Sequence, residues 1–270
     1  MNNILAVTLI SYKEGLRHRV LYGIFIFAVL IMAFAVLISG LFMRDITKVT
    51  LDLCLTAVNI GGLLVPFFLA IYLLAKDIER RTVYSILSRS ISRTEYLLGK
   101  FGGLVLLTGT IMGTLTLAVV AAIWGSRQLY AGYFFTSLSW PAILTAILAS
   151  YLGIVVLNAC VILWSTMTTS SFLATLLTLF TYIIGQTVED IVRFMSVKTP
   201  GVELSPFFLK VSHAVLYIFP NLAAFDLKQS AAHGLLVPAK ELLFLTTYGL
   251  GYTTAALTLA ILIFRRRDLA

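Results

Sequence analysis

Three histidines, two cysteines and twelve carboxylates are the groups in this sequence able to carry acid–base, nucleophilic or metal chemistry. Such chemistry needs them within hydrogen-bonding or ligand distance of one another, and the spacing brings together no Ser-His-Asp, paired-carboxylate or His-Glu-x-x-His arrangement. Glu189-Asp190 is the one adjacent acidic pair, and with Arg193 a turn away it reads as the boundary of a helix. His213 and His233 have no second ligand at i+3 or i+4 and read as surface or capping groups, while His18 belongs with its basic neighbours. No metal is expected, nor an enzyme. The lone Gly-Lys pair, Gly99-Lys100, has Thr94 upstream and Phe101 downstream, so it does not fit the Gly-x-x-x-x-Gly-Lys-Ser/Thr loop that cradles phosphates.

Five neutral positions remain as candidates for a pathway or gate: Asn59, Pro66, Asn158, Thr178 and Gln186. An amide inside an apolar helix either hydrogen-bonds a neighbouring helix or meets a solute. A proline removes a backbone donor and favours a kink that a gate can use, or simply shapes packing. Asn158 and Gln186 are the strongest buried polar groups, with an interhelical bond the simpler role for each. Thr175, Thr178, Thr181 and Gly185 make a thin polar stripe that serves packing or lines a pathway. Cys54 and Cys160 fall in apolar stretches and read as small packing residues rather than a disulfide.

These groups must be positioned by helices in a membrane. Of 270 residues, 60% are hydrophobic and 12% charged, against about 45–50% and about 25% in soluble domains. Stretches without Asp, Glu, Lys or Arg cover 20–43, 53–75, 101–126, 128–188 and 242–264. A crossing helix takes about 20 residues, and 128–188 holds two, separated by the polar break 165–171. The expected fold is therefore an all-α integral membrane protein, one domain over 1–270, with spans near 20–43, 53–75, 101–124, 140–163, 171–188 and 242–264. The first run is longer than a signal peptide's apolar core and ends at Arg44-Asp45 without a small-residue cleavage site, so it is expected to remain as an anchor. No ionisable group lies near mid-span, where one would cost about 2.5–3.5 kcal/mol, which argues against an ion-coupled relay.

Local signals fill in the elements. Residues 1–19 suggest an interfacial helix with Leu5, Leu9, Tyr12 and Leu16 on one face and Thr8, Ser11, Lys13, Glu14 and Arg17 on the other. Pro66, after Gly61-Gly62, predicts a kink in span two. Gly109 and Gly113 predict a close helix contact in span three. Residues 189–240 suggest short helices on the outer face: Ser205-Pro206 leads into 207–219, and Pro220-Asn221 opens a second helix ending near Gly234.

With both chain ends in the cytoplasm, the inner segments carry twelve basic and five acidic residues, a net of +7, while the outer ones carry eight and seven, a net of +1. Short loops decide orientation, and they favour this one. The total of +8 then reflects anionic membrane lipid, with no nucleic acid as partner.

Residues 76–100 concentrate the charge, and two short helices are expected there, the second capped by Ser92 with Glu95 completing a capping box. A charged, ordered helix at a membrane face suits a contact with a soluble partner. Here the chain resembles the ABC-2 type permeases. Glu79, Thr82, Leu87, Ile91, Ser92, Arg93, Leu98, Gly99 and Lys100 fall where that family's loop pattern expects them, as do Lys13-Glu14 and Arg17; Arg81 and Ser90 depart, standing where Gly and Pro are usual. The resemblance covers the whole chain and is nearest to small permeases of copper-enzyme-maturation type and of ion or antibiotic export. It implies a homodimer, or a pair with a similar permease, in the cytoplasmic (inner) membrane. It also implies two cytoplasmic ABC ATPase subunits, holding ATP and Mg, that dock on Glu79, Arg80, Arg81, Thr82, Tyr84, Ser85 and Leu87 and on the 165–171 loop through Thr166 and Thr168. No cofactor is expected on this chain. A secondary transporter or channel, and a non-transporting assembly scaffold, are the alternatives.

Overall fold

A computed structural model describes residues 3–41, 45–75, 91–130, 138–196 and 218–266 of the chain. Among them the regular structure is helical, and six helices are long and apolar enough to cross a membrane. In chain order these elements are α1 (Asn3–Leu16), α2 (Arg19–Ser39), α3 (Ile46–Leu64) with a π-helical continuation (Val65–Ala75), α4 (Arg93–Leu129), α5 (Trp140–Met167) and α6 (Ser171–Ser196). A 3₁₀ turn (Ala223–Phe225), α7 (Lys228–Ala232) and α8 (Ala239–Arg266) follow.

The helix that organises the bundle is α5. Of its most apolar stretch 78% is buried inside the protein, against 22% for α2. One apolar core lies where Ala28 and Met32 of α2, Ala57 and Val58 of α3, Met112 and Leu115 of α4, and Ile143 and Ala146 of α5 meet. A second, toward the end where α1 starts and α8 finishes, joins Tyr96 and Leu104 of α4 to Val161 of α5 and Phe264 of α8. We call that end proximal and the other distal. Outward, α2 presents Tyr22, Ile26, Phe27, Leu30, Phe34 and Leu37, all exposed. A continuous apolar face of this kind is stable against hydrocarbon and not against water.

Several boundaries differ from the sequence reading for identifiable reasons. Span three starts at Arg93 instead of 101, because the capping box at Ser92 nucleates the helix and nothing breaks it before the apolar run. The second short helix expected in 76–100 is thus the first turns of α4; the first lies outside the described residues, as does most of 207–219. At 37 residues and 1.5 Å per residue, α4 is about 55 Å long and overshoots a hydrocarbon core of about 30 Å. Span five likewise runs to Ser196, so Glu189-Asp190 sits within α6 and not at its boundary.

α1 packs on α4 through Val7 and small or hydroxyl residues. Val7, Thr8, Ser11 and Gly15 are buried against α4, whereas Leu5 and Leu9 stay exposed. Small residues allow this: a Cβ added to Gly99 would lie 2.5 Å from Val7 Cβ, and one on Gly103 2.7 Å from Ser11 Cβ. On α4 the glycines that admit α1 are therefore Gly99, Gly102 and Gly103. A Cβ on Gly113 would meet nothing within 4 Å, and on Gly109 nothing closer than Tyr151 Oη at 3.5 Å.

Near Pro66 the winding changes from α to π at Val65. The proline has no N–H, so one carbonyl of the preceding turn loses its usual donor, and the backbone widens there.

Candidate functional site

The polar side chains of three spans converge in one place. Asn59 of α3, Ser150 of α5, and Tyr182 and Gln186 of α6 line a cavity of about 20 Å³, roofed by Leu222, Phe225 and Asp226 of the distal cap. Leu63, Gly153, Ile154 and Leu157 complete its wall. Tyr182 and Gln186 are four residues apart and so share one face of α6. The volume admits about one water molecule, so the site is a narrow cleft with polar groups in its wall.

The roof is built by tight contacts. A Cβ on Gly153 would lie 3.0 Å from Phe225 Cβ, and one on Gly185 2.7 Å from the carbonyl oxygen of Pro220, so glycine at both positions lets the cap settle onto α5 and α6. Leu222 N donates to the Gly185 carbonyl at 2.9 Å, Asn221 N to the Tyr248 hydroxyl at 2.8 Å, and Tyr252 Oη to the Ile218 carbonyl at 2.8 Å. Where one helix was expected from Pro220 to Gly234, the side chains of Asn221 and Asp226 accept from Ala224 N and Lys228 N and interrupt it. The end is as expected: Gly234, at φ 68°, closes α7 with Gly234 N on Ala231 O and Leu235 N on Ser230 O. Asp226 also pairs with Lys228 Nζ at 3.0 Å, which balances the one carboxylate at the cavity.

The other candidates serve packing here. Asn158 is wholly buried and donates from Nδ2 to Thr108 Oγ1 at 3.0 Å, tying α5 to α4. Thr178, also wholly buried, turns back to the Ala174 carbonyl at 2.7 Å, and Thr181 Oγ1 accepts from Trp164 Nε1 at 2.9 Å. Pro66 is buried at the start of the π segment. Of the five, the structure brings Asn59 and Gln186 together and sets Pro66, Asn158 and Thr178 apart from them. Ser150, Tyr182 and Asp226 are cavity residues that sequence reasoning missed; the i, i+4 spacing of Tyr182 and Gln186 was the available signal. A comparison with models of protein families finds no match, and one with curated proteins finds none either.

At the proximal end, polar contacts join α1, α4 and α8. Ser92 Oγ accepts from Glu95 N at 3.2 Å while Glu95 Oε2 accepts from Ser92 N at 2.8 Å, and Asn3 Nδ2 reaches Glu95 Oε1 at 3.3 Å. Arg93 Nη1 donates to the carbonyls of Phe264 at 2.9 Å and Arg265 at 3.1 Å, satisfying acceptors that the end of α8 leaves open. Lys100, 4% exposed, lies 3.8 Å from Glu14 Oε2 and 5.7 Å from the Tyr96 ring centre. The neighbouring corner is tighter than the sequence suggested. The 165–171 break shrinks to residues 168–170, Thr166 is buried in α5 with its hydroxyl on the Leu163 carbonyl, and Thr168 caps the helix through Trp164 O. Met167 and Thr169 are what that corner exposes. Glu79, Arg80, Arg81, Thr82, Tyr84, Ser85 and Leu87 lie outside the described residues.

Proposed function

We propose that this chain is the membrane-spanning permease subunit of an ATP-binding-cassette exporter of the ABC-2 type, working as a pair in the cytoplasmic membrane. The observation that carries the reading is the narrow cavity between α3, α5 and α6, where polar side chains from three spans meet. An amide, a hydroxyl and a second amide converging at membrane depth offer hydrogen bonds to a solute that hydrocarbon cannot. The resemblance of 79–100 to the family's coupling loop supplies the motor: ATP and Mg bind a separate cytoplasmic subunit, which grips the loop around Glu79. The segment from Val65 to Ala75 leads from the cavity wall straight into that loop, so a push on the loop reaches Asn59 and Leu63 by a short path along one helix. Under this reading the proximal face, with its excess of basic residues, is cytoplasmic.

The test is biochemical. Purified from its native membrane, the chain is expected to bring down an ATPase subunit whose hydrolysis rises when the two are joined in vesicles. Glu79→Lys should abolish that rise without lowering the permease's melting temperature. Recovery with no ATPase, together with an unaltered Glu79→Lys variant, overturns the proposal.

A further inference from the structure

The turn between α1 and α2 gathers three exposed cations, Lys13, Arg17 and Arg19. Among the described residues none of the three has an acidic partner: Glu14, the nearest acid in sequence, is directed at Lys100. Lys13 and Arg17 are four residues apart and project from the same side of the helix, and Arg19 follows at the start of the first span.

The backbone carrying them is fixed. Arg17 N donates to the Lys13 carbonyl at 3.2 Å, His18 N to Gly15 O at 3.1 Å, and Leu21 N to His18 O at 3.0 Å. His18 caps α2 through Nδ1, 3.4 Å from Val20 N, and its ring centre lies 4.3 Å from that of Tyr72. Apolar side chains flank the cations on both helices: Leu9 and Ile10 on α1, Tyr22 and Ile26 on α2, from 43% to 66% exposed. Cations at the level where a span begins, bordered by exposed apolar groups that continue along that span, match the two halves of one amphiphile.

We propose that the α1–α2 corner binds an anionic phospholipid, with the phosphodiester on Lys13, Arg17 and Arg19 and an acyl chain along Tyr22 and Ile26. Guanidinium forks meet phosphate oxygens in pairs, and a zwitterionic choline headgroup would bring its own cation up against them. The site rests on the membrane spans alone and is independent of the permease reading. Near a lipid surface each basic residue is worth about fivefold in binding, so the three together set a preference of about a hundredfold.

Native mass spectrometry of the full chain, released from an equal mixture of phosphatidylglycerol and phosphatidylcholine, reads that preference directly. The unaltered chain is expected to retain phosphatidylglycerol, Arg17→Gln or Arg19→Gln alone to weaken retention about fivefold, and the triple variant with Lys13→Gln to show no preference. Arg127→Gln with Lys240→Gln, at exposed positions elsewhere, should retain it. Melting in lipid-free detergent separates the lipid from its headgroup: phosphatidylglycerol should raise the transition and inorganic phosphate should not. A preference that survives the triple variant, or is lost equally in the distant one, overturns the site. Stabilisation by phosphate equal to that by lipid makes it an ion site and overturns it too.

Discussion

Asn158 puts an amide in the proximal half of α5 and satisfies half of it: Nδ2 bonds Thr108, while Oδ1 is buried with no hydrogen-bond partner among the described residues. Replacing it by leucine removes an interhelical bond worth about 0.6 kcal/mol in a membrane and also removes an orphaned carbonyl that costs about 1–3 kcal/mol. Thr108 keeps its bond to the Leu104 carbonyl. Asn158→Leu is therefore expected to leave stability within about 1 kcal/mol of the parent or to raise it. Asn158→Asp, which places an ionisable group inside the span, should lose up to about 2.5–3.5 kcal/mol. Thermal unfolding of both in the same lipid nanodiscs decides it, and equal losses would mean that Asn158 does more than tie two helices. The sequence marks Asn59, Asn158 and Gln186 alike, because amides stand out in apolar helices. Which of them faces a cavity depends on each helix's rotation about its axis, and composition does not encode that. Ser150 carries no such mark, because a hydroxyl in such a helix usually bonds its own backbone; tyrosine counts as apolar, which hides Tyr182, and Asp226 lies beyond the spans.

Elements are legible where a chemical signal ends them and less so where lipid does. The capping box of α4 was readable because Ser92 and Glu95 have the spacing that two backbone donors require. Where α4 begins and where α6 finishes were not, since both helices run on through charged residues beyond the apolar stretch. Helix contacts showed the same split. Small residues permit close approach, but Gly99, Gly103 and Gly113 look equivalent until a partner helix is placed against two of them. Gly99→Ala would bring a Cβ within 2.5 Å of Val7 Cβ and 3.1 Å of the Ile4 carbonyl oxygen, which is backbone and does not turn aside. A loss of about 1–3 kcal/mol from overpacking is expected, with α1 cleaved faster by protease. Gly113→Ala meets open space and should gain up to about 1 kcal/mol from helix propensity. Calorimetry of the pair reads two opposite signs. A destabilised Gly113→Ala would reveal another helix packed on that face, such as that of a second copy.

At the scale of the whole molecule, the solvent argument carries furthest, because six apolar runs of spanning length leave few other ways to satisfy the backbone. The same six spans put α1's start and α8's finish at one end, where Arg93 and the Phe264 carbonyl meet. Which compartment that end faces is a separate question, resting on the imbalance between a net of +7 and a net of +1 and on the rule that basic loops stay inside. It is open to a direct test because both native cysteines are buried, at 0% and 2% exposure, and give little background to a thiol reagent. Asn3 at the proximal end and Glu241 at the distal end are both exposed. Glu241→Cys should react with a membrane-impermeant maleimide in intact cells, and Asn3→Cys only after the cells are opened. The reverse pattern would turn the bundle over and place residues 76–100 outside the cell. No cytoplasmic ATPase could then grip them, and the permease reading would fail, while the cavity and the lipid corner would keep their geometry.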